Sequence, residues 1–162
     1  MNIGLTGDTH NNLKNVTKIC DIFNSRNLDF VIHTGDISLP KTLYAFDSLK
    51  CPLRGVFGNN DQEEKDGLLK VCKEKSFLFK DMLKIQISKT NFLYAVHDPN
   101  DIDEEFYEPG NIIVHGHTHR FRDEIHKGTY IFNPGECAGI MKGMNKVGII
   151  DTNLPKMEII SF

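Results

Sequence analysis

The sequence predicts an α/β protein, a two-sheet α/β sandwich with mixed sheets flanked by helices. Two observations carry that reading. In the first half, three short apolar runs each lead through a polar loop into an amphipathic stretch, the strand-loop-helix rhythm of a mainly parallel sheet covered by helices. In the second half, paired apolar runs flank short turn-rich segments, the pattern of hairpins.

The elements follow in order. "NIGLT" at 2–6 reads as the first strand, and Leu13, Val16, Ile19, Cys20 and Phe23 then recur at helical spacing, with Asn12 placed as the N-cap. "NSRN" closes that helix before "FVIH" at 30–33. A helix is expected from about Pro40 to Leu49, since proline suits a first helical turn, and "LRGVF" follows as a strand. Residues 62–75 read as a helix with acids at its start and lysines at its end, the sense the helix dipole favours.

Beyond it, "LKIQI" and "FLYAV" flank "SKTN", "NIIVH" reads as a buried strand, "FRDEI" and "TYIFN" bracket "HKG", and "KVGIID" and "KMEIISF" flank "TNLP". The acidic segment "DPNDIDEEFYEPG" reads as a solvated loop. No linker divides the chain, so its 162 residues are expected to form one domain, 1–162.

Composition narrows the function. A formal net charge of −3 and no block of Lys or Arg argue against bulk nucleic-acid binding. Apolar runs stay far short of the roughly 20 residues of a membrane span, and the opening "MNIGLTGDTH" has no signal-peptide pattern, so a cytoplasmic protein without membrane attachment is expected. Cys20, Cys51, Cys72 and Cys137 form no C-x-x-C pair and read as reduced thiols. The sequence leaves a homo-oligomer open.

In a mostly parallel α/β sheet, ligands bind beyond the carboxyl ends of the strands. Polar residues collect there: Asp8 and His10 after the first strand, Asp36 after the second, Asn59 and Asn60 after the third, then His97, and finally His117 and His119. Each alone reads as a cap, a turn or a buried histidine. Together, imidazoles, carboxylates and an amide without thiolate suit borderline divalent ions such as Mn, Fe, Ni or Zn. The candidate ligands exceed one tetrahedral site and suffice for two ions about 3.5–4 Å apart sharing a carboxylate, the arrangement that clamps an in-line displacement at phosphorus.

The ordered motifs "GDTHNN", "HTGD", "GNND", "VH" and "GHTH", with "NPGE" at 133–136, resemble the calcineurin-like metallophosphoesterase superfamily, above all its small single-domain prokaryotic phosphodiesterases. The resemblance runs from the first strand to the last and implies the metallophosphoesterase fold. It implies that Asp8, His10, Asp36 and His119 hold one ion and that Asp36, Asn59, His97 and His117 hold the other, with Asp36 bridging. It implies hydrolysis of a small phosphoester substrate, a diester above all, by a hydroxide held between two divalent transition-metal ions, manganese first, with nickel, iron or zinc as alternatives. Asn60, His97 and His117 are the candidate catalytic residues.

Two positions depart from the family pattern. Asn60 stands where many members carry a histidine that serves the leaving oxygen; an amide can donate a hydrogen bond but delivers no proton at neutral pH. Asp98 follows His97 where members often read His-Gly-His, adding negative charge beside a phosphate site. His33, His115 and His126 read as structural or solvated, and Arg120 as an exposed strand-start residue. The competing reading is a protein-binding scaffold of the same fold, as in a retromer subunit, but a scaffold has no need to keep His10, His97 and His119 together. A metal-dependent nuclease is disfavoured by the absence of a basic face.

Overall fold

Period-two alternation in short strands decides how the layers stack. The computed structural model describes residues 1–162. In β1 (Asn2–Thr6) and β2 (Phe30–His33), Ile3, Leu5, Phe30 and Ile32 point one way while Val31 points the other, so each strand serves two cores. One sheet has the order β11-β10-β1-β2-β3-β4, in which β3 is Leu53–Val56, β4 Leu78–Lys80, β10 Lys146–Asp151 and β11 Met157–Ser161. The other has the order β5-β6-β7-β9-β8, from β5 (Leu83–Gln86), β6 (Phe92–Ala95), β7 (Ile112–Val114), β8 (Arg122–His126) and β9 (Thr129–Asn133).

Between the sheets lie Ile3, Leu5, Ile32 and Val56 against Leu93, Ile112, Val114 and Phe132. The outer face of the first sheet is covered by α1 (Leu13–Asn24), α2 (Pro40–Tyr44) and α3 (Lys65–Lys75), which bury Val16, Ile19, Phe23, Leu43, Leu68 and Val71. Burial of such side chains contributes roughly 1.5–3 kcal/mol each, which is why these faces and not propensity fix the elements. No helix is long and apolar enough to cross a membrane.

The parallel register runs β1-β2-β3-β4, as three successive strand-loop-helix steps predict. Asn12 caps α1 by accepting from the Asn15 amide at 3.1 Å. The expected hairpins form: β5 with β6, β8 with β9 and β10 with β11 are all antiparallel. β10 then returns to the first sheet and pairs antiparallel with β1, so the last hairpin completes the sheet that the first strand began.

Several elements differ from the sequence reading. The helix expected to Leu49 is α only to Tyr44; a 3-10 turn over Ala45–Ser48 follows, held at its end by the Asn24 amide on the Ser48 carbonyl at 2.8 Å, and it carries Phe46 into the core. The helix expected over 62–75 begins as a 3-10 turn over Asn59–Glu64 and becomes α at Lys65. β4, a three-residue edge strand with only Phe79 buried, is new. The segment after His97 is not a solvated loop throughout: two 3-10 turns, Pro99–Asp101 and Glu104–Phe106, bring Phe106 onto Tyr94 with stacked rings 4.2 Å apart, closing the outer face of the second sheet.

Candidate metal centre

All seven candidate ligands arrive at one edge of the sandwich, carried by the loops that leave β1, β2, β3, β6 and β7. Their donor atoms form two groups. Ligand atoms of Asp8, His10, Asp36 and His119 lie within 4.8 Å of one another. Asn59 Oδ1 lies 3.0 Å from His97 Nε2 and 3.1 Å from His117 Nδ1, and the two imidazole nitrogens are 3.3 Å apart. Asp36 faces both groups: Oδ2 is 3.4 Å from His10 Nε2 and Oδ1 is 3.4 Å from His97 Nε2.

The backbone is bent to make this possible. Asp8, His10, Asp36, His117 and His119 all sit at positive φ, between 37° and 64°. For residues other than glycine that region costs on the order of 1 kcal/mol or more each, and such strain persists where the surroundings over-determine it. The loops after β2 and β3 also touch: a Cβ on Gly58 would lie 2.1 Å from Asp36 Oδ1, so only glycine lets the third strand end this close to the second.

Asp61 holds those two loops together, a role that its place in an ordinary turn motif conceals. Its buried carboxylate accepts four backbone N–H groups, from Ile37 and Ser38 at Oδ1 (2.8 and 2.7 Å) and from Asp36 and Gly58 at Oδ2 (3.0 and 2.7 Å). Burial nonetheless holds its acidity below that of a free carboxyl, pushing the pKa up against those N–H groups. Turn chemistry alone gives Asp61 no such role; three of the four donors belong to the loop after β2 and the fourth to its own turn.

The residues present fit a cation. Asp8 is fully buried, its Oδ2 has no hydrogen-bond partner, and burial, followed by the charge of Asp36, pushes its pKa up to about 8. An acceptor left so costs free energy unless a positive charge satisfies it. The second group shows the same conflict. His97 Nδ1 donates to the Thr34 carbonyl at 2.8 Å, so in the neutral ring Nε2 is a bare lone pair, and it points at Asn59 Oδ1, another acceptor. Lone pairs converging on one point are what a divalent ion requires. Burial also pushes the His119 pKa down, with His10 beside it acting in the same sense, which keeps that imidazole neutral and able to ligate.

Around the donors, other residues take the positions the sequence left open. Asn60 turns its side-chain amide to Asp36 Oδ2 (2.7 Å) and its backbone N–H to Asp36 Oδ1 (2.9 Å), so it steadies the carboxylate that faces both groups. The "NPGE" segment is more than a turn: Glu136 is buried and accepts from Gly139 and Met141, and the Cys137 N–H donates to the Asp8 carbonyl at 3.2 Å. His33 and His115 are buried and Arg120 is exposed, as expected; His126 ends β8 on the surface. From Asn59, His97 and His117 a cleft of about 450 Å³ opens between Phe57, Gln62, Lys65, Asp81, Asp98 and Asp101.

A model of the calcineurin-like phosphoesterase superfamily domain matches residues 1–154. The chain belongs to that superfamily. The phosphodiesterase MJ0936 of Methanocaldococcus jannaschii is 31% identical over 157 residues, 94% of this chain and 93% of that protein. Among solved structures, an archaeal phosphodiesterase superposes with a TM-score of 0.87 at 30% identity and full coverage of both chains. A phosphoesterase of E. coli, YfcE, shares the fold with a TM-score of 0.76 at 19% identity, covering 99% of each. As a member of this superfamily the chain is a hydrolase of phosphoester bonds, a chemistry run on divalent metal ions, and the clustered Asp and His side chains provide a site for them.

Proposed function

We propose that the chain is a phosphodiesterase acting on small phosphoesters, with two divalent ions as cofactors, manganese first and nickel, iron or zinc as alternatives. The observation that carries this reading is the split carboxylate of Asp36, one oxygen facing His10 and the other facing His97. In this reading Asp8, His10, Asp36 and His119 hold one ion, and Asp36, Asn59, His97 and His117 hold the other. When bound, such ions supply a strong nucleophile at neutral pH and offset the charge of the phosphoryl oxygens.

The chain's own residues set the rest. Asp36 orients both groups and is itself held by Asn60 and, through its backbone, by Asp61. His97 presents Nε2 because Thr34 takes its other N–H. His97 and His117 stand at the mouth of the cleft, where a phosphoryl group enters and where charge develops. Asn60 offers amide N–H and no acid, so the departing alkoxide gains no proton from it, and activated aryl esters turn over best. A diester is favoured over a dianionic monoester because Asp98, Asp101 and Asp81 line the cleft with one cation, Lys65, which is paired to Asp81 at 2.5 Å. The phosphodiesterase name of the relative at 31% identity supports the same choice.

We also propose that residues 1–162 act as one domain, in the cytoplasm; the four free cysteines support a reducing compartment. A catalytically weak scaffold is not favoured, since every donor position is filled by a competent ligand. The test is metal-stripped protein reloaded with manganese and assayed on an aryl phosphodiester and the matching monoester, with Asn59→Ala as control. Metal-dependent turnover that favours the diester and falls at least about 10²-fold in the variant is expected. Turnover of neither ester by manganese-loaded protein would overturn the reading.

A further inference from the structure

His97 and His117 face the same point, yet only one of them is oriented by the backbone. His97 gives its Nδ1–H to the Thr34 carbonyl, which leaves Nε2 bare. His117 points Nδ1 at Asn59 and His97, so for that nitrogen to be the bare one its single proton must sit on Nε2. Nε2 lies 3.5 Å from Asp98 Oδ2. Asp98 is itself fixed: its Oδ1 accepts the Asn100 N–H at 2.8 Å, at the head of the 3-10 turn Pro99–Asp101, and Pro99 limits the backbone that follows. The ring is partly exposed, with 39% of the side chain open to solvent, and Asp98 is the side chain that faces its Nε2.

We propose that Asp98 is a positioning residue for His117: its carboxylate draws the proton to Nε2 and keeps the Nδ1 lone pair turned toward Asn59 and His97. It does for His117 what the Thr34 carbonyl does for His97. At 3.5 Å the contact is long for a hydrogen bond, but a carboxylate at that distance still favours the tautomer and ring orientation that face it with N–H. The acid after His97, where relatives often carry glycine, thus serves the ligand set. A carboxylate behind a ligating imidazole raises its basicity and fixes its direction, and removing one typically weakens metal affinity about 10- to 100-fold. The inference rests on His117 being a ligand as proposed above.

The test titrates metal-stripped wild type, Asp98→Ala, Asp98→Asn and His117→Ala with Mn²⁺, counting free ion by electron paramagnetic resonance. The His117 ring ¹⁵N shifts are read in the metal-free proteins. The expected result is that Asp98→Ala weakens one of two sites about 10- to 100-fold and leaves the other intact. Asp98→Asn, isosteric and still an acceptor, should fall between, and the Nε2–H form of metal-free His117 should decline in Asp98→Ala. If His117→Ala loses a site while both Asp98 variants keep wild-type affinities, the positioning role is overturned and the ligand assignment stands. If His117→Ala keeps both sites, the ligand assignment is overturned and the inference with it.

Discussion

The two halves of the candidate metal centre are built on opposite plans. Asp8 and Asp36 form a buried floor, 0% and 2% exposed, with His10 and His119 half-buried above them. Asn59 and His117 form an exposed rim that opens into the cleft, with only His97 buried. The floor concentrates negative charge that the protein cannot satisfy alone, which is the requirement for gripping a cation. The rim presents imidazole and amide donors to the open cleft. Of the two departures from the family pattern, Asp98 lines the cleft on the rim side, while Asn60, exposed beside Asn59, reaches down to the floor and holds Asp36; the floor residues themselves match the family pattern.

If Asp61 is what couples the halves, breaking it is the most severe test of that division. Asp61→Ala orphans backbone N–H groups in the loop that carries Asp36 and in the turn that carries Asn59. A loss of about 3 kcal/mol or more is expected, since each buried donor left unsatisfied costs roughly 1–3 kcal/mol. Chemical denaturation of the metal-free variant measures it. A loss below about 1 kcal/mol, on the scale of one ordinary hydrogen bond, would mean that the loops hold themselves and that the halves are independent.

The next test sharpens the rim. Asn60→His should raise turnover of diesters with poor alkyl leaving groups by roughly 10- to 100-fold, a part of what general acid catalysis supplies, and should leave activated aryl diesters within about twofold. Equal gains on both substrates would show that the histidine repositions Asp36 and gives no proton to the leaving group.

The smallest effect belongs beneath both halves. His33 is buried, donates from Nε2 to Thr9 Oγ1 at 3.1 Å and accepts the Gly35 N–H at Nδ1, and burial pushes its pKa down to about 3. The unfolded chain then binds a proton between pH 6.5 and 3 that the folded chain does not, so stability rises with pH across that window and is lost as pH falls. The slope from this group is at most about 1.4 kcal/mol per pH unit. Comparing wild type with His33→Gln by denaturation at pH 7 and pH 5 should show the smaller acid loss in the variant; equal losses would mean His33 does not carry it.

The floor and the donor set were legible because the sequence leaves few other chemistries at its strand ends. Asp8, His10, Asp36, Asn59, His97, His117 and His119 each follow an apolar run, and the near-continuous burial of β1, β2, β6 and β7 is written in the residues themselves. Asn12, which caps α1, and the Lys127-Gly128 turn, with both residues at positive φ, obey local rules that the sequence spells out. What local rules satisfy completely is what they hide. Asp61 fits a Gly-Asn-Asn-Asp turn so well that its four distant and local donors have no signature. Phe106 lies in an acidic stretch whose composition speaks for solvent, and only its contact with Tyr94 in another element shows otherwise. The return of β10 to β1 and the three-residue β4 depend on pairing across long sequence separations, to which periodicity is blind. The left-handed backbone of five candidate ligands is likewise visible only in the folded chain.

The central claim is that Asp36 joins two ion sites. Anomalous diffraction from crystals of the manganese-loaded protein tests it most directly. The account predicts two peaks about 3.5–4 Å apart, one among Asp8, His10 and His119 and one among Asn59, His97 and His117, with an Asp36 oxygen on each, and no strong peak in Asp36→Asn crystals. A single peak in the wild type, or two peaks that Asp36 does not touch, would contradict it.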